Sequence, residues 1–160
     1  MILIVHVILG SAIGSLVNNV PLAIILALLS HYVLDFIPHL DYPVKNFSQK
    51  QWRKSVPEFL RIFFDFFAGM LLIYLFSSNR PIIYICGFIA AAPDTLTALK
   101  YAFPGNRFLE DHYKLHEKLH FWNDTQPPHK ASARQEKISN FWRILSQATV
   151  IVISILLLKL

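Results

Sequence analysis

The first 34 residues contain no Asp, Glu, Lys or Arg, and the charge the chain does carry is gathered into a few stretches between long apolar runs. A soluble domain intersperses its charges because every exposed face must be solvated. Segregation on this scale instead predicts one membrane-embedded bundle. Composition agrees: of 160 residues 54% are hydrophobic and only 16% charged, against about 25% charged in soluble domains.

A spanning helix needs roughly 17–25 mostly apolar residues. Five segments approach that length, at about 2–17, 21–37, 57–77, 81–103 and 141–158. Asn18-Asn19-Val20-Pro21 turns the chain between the first two, and Pro38 closes the second. Pro57 and Pro81 stand where a first helical turn accepts proline, and Pro104-Gly105 ends the fourth. The first two segments are short for a full span, so a tilted or half-buried hairpin is an alternative there. The expected fold is all-α, a single integral membrane domain over 1–160. It is a polytopic transmembrane helix bundle of about five membrane helices, with a His-rich helix over about 107–122 at one face. The first apolar stretch has no basic residues before it and contains His6, so it reads as a retained helix and not a cleaved signal. Cys86, the lone cysteine, lies in an apolar run and reads as a small buried hydrophobe.

If five helices alternate in direction, the 38–57 and 104–140 segments share a face with the N-terminus. Between them they hold Lys45, Lys50, Arg53, Lys54, Arg107, Lys114, Lys118, Lys130, Arg134 and Lys137, whereas the other face has Arg80 and Lys159. The asymmetry predicts that the N-terminus and both long loops lie in the cytoplasm. The net charge of +5 belongs to those loops, and nucleic acid is not an expected partner.

An Asp inside a span costs about 2.5–3.5 kcal/mol on insertion scales and is a functional hypothesis by default. Here such residues share a depth. His6 begins the first helix, and His31, Asp35, His39 and Asp41 end the second. Asp65 lies about two turns into the third and Asp94 about two turns before the end of the fourth; His112, His116 and His120 follow. All of them reach one layer on the cytoplasmic side. His6 continues through Gly10 and Gly14, Asp65 to Gly69, and Asp94 runs back to Ala91, Ala90 and Gly87. Such small-residue stripes let helices approach closely and turn these polar groups into the bundle.

Two runs carry metal-ligand spacing. His31, Asp35 and His39 stand at i, i+4 and i+8, with Pro38 able to loosen the last turn so that His39 and Asp41 swing toward a shared ion. His112, His116 and His120 repeat the spacing. Imidazole and carboxylate together suit zinc, with manganese or iron also accommodated. Taken alone, the first run also fits a hydrogen-bonded structural cluster, and the second an amphipathic helix lying on headgroups. One zinc takes four ligands, so this donor set exceeds one ion and predicts two or three divalent metals, zinc favoured. Paired ions of that kind serve many phosphoesterases. There is no Gly-rich phosphate loop, Gly-x-Ser-x-Gly elbow or HExxH, which leaves a metal-activated water as nucleophile and Asp41, Asp65 or His112 as candidate general acid or base.

His6, the Ser30-His31-x-x-x-Asp35-x-x-Pro38-His39-x-Asp41 run, Pro93-Asp94 and His116-x-x-x-His120 resemble a family of small bacterial inner-membrane proteins, over roughly residues 1–122. These are identified as membrane-bound metal-dependent hydrolases, LexA-regulated members among them. The resemblance implies polytopic helices and a metal site from His6, His31, Asp35, His39, Asp41, Asp65, Asp94, His116 and His120. The site type is also similar to that of zinc-dependent phospholipase C, whose second His-x-x-x-Glu pair would here be His116-x-x-x-His120. The resulting expectation is a membrane-embedded hydrolase acting on a phosphoester of a membrane lipid or lipid-linked substrate. The alternatives are metal-ion transport and a metal-binding structural membrane protein without catalysis.

Overall fold

The computed structural model describes residues 1–119 and 140–160. Over these the chain is helical with no strand: α1 (Leu3–Leu16), α2 (Val20–Asp35), α3 (Lys45–Ser48), α4 (Val56–Phe76), α5 (Pro81–Ala102), α6 (Arg107–Leu119) and α7 (Asn140–Leu158). Three of them, α4, α5 and α7, are long and apolar enough to cross a membrane. The expected first and second spans are the shorter α1 and α2, of 14 and 16 residues. At a rise of about 1.5 Å per residue they reach roughly 21 and 24 Å, less than a hydrocarbon core of about 30 Å. The short α3 was not expected from the sequence. Glu58 builds it: one carboxylate oxygen accepts from the Asn46 amide at 3.0 Å and the other from the Phe47 amide at 2.9 Å, which satisfies its first-turn donors.

α1 is the centre of the bundle, packed against α2, α4, α5 and α7. It is apolar on every side because every side meets protein: Val5, Val7, Ile8 and Ala12 are fully buried. The approach to α5 is backbone-close. A Cβ on Gly10 would collide with the Ala90 side chain and lie 2.6 Å from the Cys86 carbonyl, and one on Gly14 would lie 2.9 Å from both the Cys86 side chain and the Ile82 carbonyl. These pairings run α1 and α5 antiparallel and bring His6 toward Asp94. Around this core the outer faces are apolar and exposed, with Leu29 and Val33 on α2, Phe64 and Leu71 on α4, Phe88 on α5, and Val152 and Leu156 on α7. An apolar surface that encircles the bundle is what lipid, and not water, solvates.

Local chemistry sets the ends. The Asn19 side chain accepts from the Leu22 amide at 3.0 Å and caps α2. α1 has no such cap of its own; Asp65 of α4 supplies one, its Oδ2 accepting from the Ile4 amide at 2.7 Å. α2 stops at Asp35, two residues short of the expected end, because Pro38 disfavours helical backbone at Ile37. Its last turn tightens into i→i−3 bonds from Phe36 to Val33 and Ile37 to Leu34.

Candidate metal centre

Four elements deliver side chains to one end of the bundle: the first turn of α1, the last turns of α2, the second half of α5, and α6, which folds back onto α5 and α2. At their meeting point His31 Nε2 and His116 Nε2 lie 2.9 Å apart. Asp35 Oδ2 lies 3.1 Å from His31 Nε2 and 3.2 Å from His116 Nε2. Asp94 Oδ1 is 3.7 Å from each of the same nitrogens. Ligand bonds of about 2.0–2.1 Å in a tetrahedral zinc site place neighbouring donors roughly 3.3 Å apart. His31, Asp35 and His116 stand at about that spacing from one another, with Asp94 somewhat farther off.

The protonation pattern points the same way. His31 Nδ1 lies 2.7 Å from the Ala90 carbonyl. A carbonyl only accepts, so Nδ1 carries the proton and a neutral His31 offers its Nε2 lone pair to the cluster. Thr97 Oγ1 engages His116 Nδ1 at 3.3 Å, which turns the Nε2 of that ring inward as well. Two imidazole nitrogens facing each other at 2.9 Å beside a carboxylate share either the N–H of one neutral ring or a metal ion between them. The mixed N/O set suits zinc, manganese or iron(II).

Around this core the expected residues divide. His6 is fully buried, stacks on His31 with ring centroids 4.1 Å apart, and has its Nε2 3.3 Å from Asp35 Oδ1. His6, His31 and Asp94 form one group of donor atoms within metal-binding reach of each other, and His31, Asp35 and His116 another. His39 and Asp41 form a neighbouring pair, Nε2 to Oδ1 3.1 Å, beyond the end of α2; His39 Nδ1 donates to the Ile37 carbonyl at 2.6 Å. The Met1 amino group links the two parts, 2.7 Å from Asp41 Oδ1 and 3.2 Å from Asp35 Oδ1. Burial would raise the Asp41 carboxyl, but the His39 hydrogen bond and the Met1 ammonium outweigh it and hold the group below the usual carboxylate range.

Asp65 is outside the converging donors, its oxygen engaged by the first turn of α1. His112 sits at the rim, half-buried, stacked on His116 at 5.7 Å between ring centroids, with Nε2 3.4 Å from the Tyr32 hydroxyl. Burial, reinforced by the charges of His116 and His31, pushes its imidazole below its ordinary value. His120 lies outside the described residues. Tyr32, Thr97 and the Ala90 carbonyl were not singled out from the sequence. Thr97 had a signal, since it stands at i+3 from Asp94 and so shares its helix face.

α6 is held by more than its histidine. Lys100 Nζ lies 3.4 Å from the centroid of the Tyr113 ring and 3.8 Å from Glu110 Oε2, fastening α6 to the end of α5. Leu109 and His116 are its buried residues.

Neither protein-family models, nor curated proteins, nor solved structures match this chain. Fold and cluster alone define its class: over the described residues, a helical bundle with helices able to span a membrane and a His/Asp group able to hold a metal.

Proposed function

We propose that the chain is a membrane-embedded metal-dependent hydrolase whose substrate is a phosphoester of a lipid or lipid-linked molecule. The observation that carries this reading is the convergence of His31 Nε2 and His116 Nε2, 2.9 Å apart, with Asp35 Oδ2 3.1 and 3.2 Å from them and Asp94 Oδ1 3.7 Å from each. An ion held there would act as a Lewis acid on a phosphoryl oxygen and lower the pKa of a bound water toward about 7.

The surrounding residues divide the remaining work. Asp35 is fully buried and anchors the donors, whereas the Asp94 side chain is 31% exposed and marks the open side. His112 and Tyr32 stand beside His116 at the rim, where an imidazole held below its ordinary value can take a proton from water as a general base. A cluster set below an apolar, lipid-facing belt favours substrates that partition into the bilayer. Metal transport is less well supported, because the opposite end of the described bundle offers Ser15, Ser77, Ser78, Arg80 and Lys159 but no carboxylate or histidine.

In this reading all five apolar helices cross the bilayer, α1 as a short span enclosed by the others and α2 as a short span on its flank, and the cluster faces the cytoplasm as the basic loops imply. The test is elemental analysis of protein purified without added metal, combined with turnover of phospholipid and of a soluble aryl phosphodiester. Bound metal with chelator-sensitive release of phosphate or phosphomonoester is expected. Bound metal without turnover on any phosphoester would leave a structural metal site and overturn the hydrolase reading.

A further inference from the structure

The four donors around His31 and His116 leave His6 unexplained. It is fully buried in the first turn of α1, between the buried Val5 and Val7, and neither ring nitrogen has an aligned hydrogen-bond partner among the described residues. Its Nε2 comes within 3.3 Å of Asp35 Oδ1 without the alignment of a hydrogen bond. A side chain needed only for packing at this place would be apolar, like its neighbours. An imidazole buried with both nitrogens unsatisfied is costly, and a ligand that takes its lone pair removes that cost.

The two oxygens of Asp35 look in different directions. Oδ2 faces His31 and His116, at 3.1 and 3.2 Å, and Oδ1 faces His6 at 3.3 Å and the Met1 amino group at 3.2 Å, which a metal ion there would displace or take as a further donor. A donor atom of His6 also lies within 4.8 Å of one on Asp94. One carboxylate presenting opposite oxygens to two donor sets is the geometry of a bridge, and a carboxylate bridge suits ions about 3.5–4 Å apart.

We infer that a second divalent cation binds between His6 Nε2, Asp35 Oδ1 and Asp94, so that Asp35 bridges a dinuclear centre. The inference rests on the metal-site reading above and extends it to a paired site, in which one ion can hold the attacking water while the other receives the leaving oxygen. His6 is then the ligand that makes the centre dinuclear, and the close approach of α1 to α5 at Gly10 is what brings it within reach of Asp94.

The full-length protein in detergent, stripped of metal and titrated with Mn²⁺ alone, tests this. The wild type is expected to bind two equivalents and give the broadened electron paramagnetic resonance signal of exchange-coupled Mn²⁺. His6→Leu should bind one equivalent and give the six-line spectrum of an isolated ion. A single equivalent with an uncoupled spectrum in the wild type would overturn the second site and leave the hydrolase reading standing. Two coupled ions in His6→Leu would equally overturn it. No binding by the wild type at all would remove both readings. The wild-type spectrum decides the matter even if the variant does not fold.

Discussion

His31 and His116, 85 residues apart in the chain, meet Nε2 to Nε2 at 2.9 Å, and each ring is turned by a partner on its other nitrogen. For His31 that partner is the Ala90 carbonyl, which no substitution at position 90 removes; for His116 it is the Thr97 hydroxyl. The second can be tested cleanly. Thr97→Val keeps the shape of the side chain and deletes the hydroxyl, freeing His116 to rotate. Loss of an orienting partner of a metal-ligating histidine costs roughly 10- to 100-fold in affinity or activity. Competition with a chelator of known affinity should show that loss for zinc, while the thermal unfolding midpoint of the metal-free protein changes little. Unchanged zinc affinity would remove Thr97 from the site.

Gly10 is the closest point between α1 and α5. Any side chain there displaces α5, since its Cβ would meet the Ala90 side chain and the Cys86 carbonyl. Gly10→Val should therefore destabilise the bundle by about 1–3 kcal/mol, the range for over-packing, and should also weaken metal binding by separating His6 from Asp94. Ile24→Val, on a partly buried position of α2, serves as a control that trims the packing without driving two backbones apart. Thermal denaturation in detergent, followed by circular dichroism and repeated with and without zinc, separates the two effects.

Much of this arrangement is legible in the sequence because it depends on spacing. The glycines following His6 at four-residue intervals mark the face that meets α5, and His31 with Asp35 marks a donor pair on one turn. Depth is legible too, from distance along each apolar run. Partners on other elements are harder to read. Asp65 has the expected depth but spends its oxygen on the first turn of α1, and an uncapped amide leaves no trace in the residue that caps it. The centrality of α1 is hidden for a similar reason, since a helix apolar on every side looks the same whether helices or lipid surround it. His39 departs from the face of His31 and Asp35 because α2 ends at Asp35, a boundary set by the effect of Pro38 on the residue before it.

Asp41 gives a pH signature. Its folded-state carboxyl lies below the usual carboxylate range, chiefly through His39 and the Met1 ammonium acting against burial. A depressed carboxylate contributes stability that is fully present above its unfolded value, about 3.9, and is lost as pH falls through the lower folded value. Metal-free wild-type protein should therefore lose thermal stability as the pH is taken below about 4. Asp41→Asn should be less stable than wild type at pH 7, and the gap should narrow in acid. A gap of constant size from pH 7 to pH 3 would sink the ion-pair account.

The loop carrying His39 and Asp41 is held from outside the donor cluster. On α7 the Gln147 side-chain amide donates to the Leu40 carbonyl at 2.8 Å, and the Ser146 hydroxyl donates to the Pro38 carbonyl at 2.7 Å. Gln147 is buried, so Gln147→Leu leaves the Leu40 carbonyl without its donor in a place water reaches poorly. A buried acceptor stripped of its partner costs about 1–3 kcal/mol. That cost should appear at the loop first, because the metal-free centre around His31 and His116 is anchored by other helices. Hydrogen–deuterium exchange is expected to accelerate over residues 38–42, with protection in α1 and α5 retained. Uniform acceleration across the bundle would instead make Gln147 a global packing residue with no special hold on the loop.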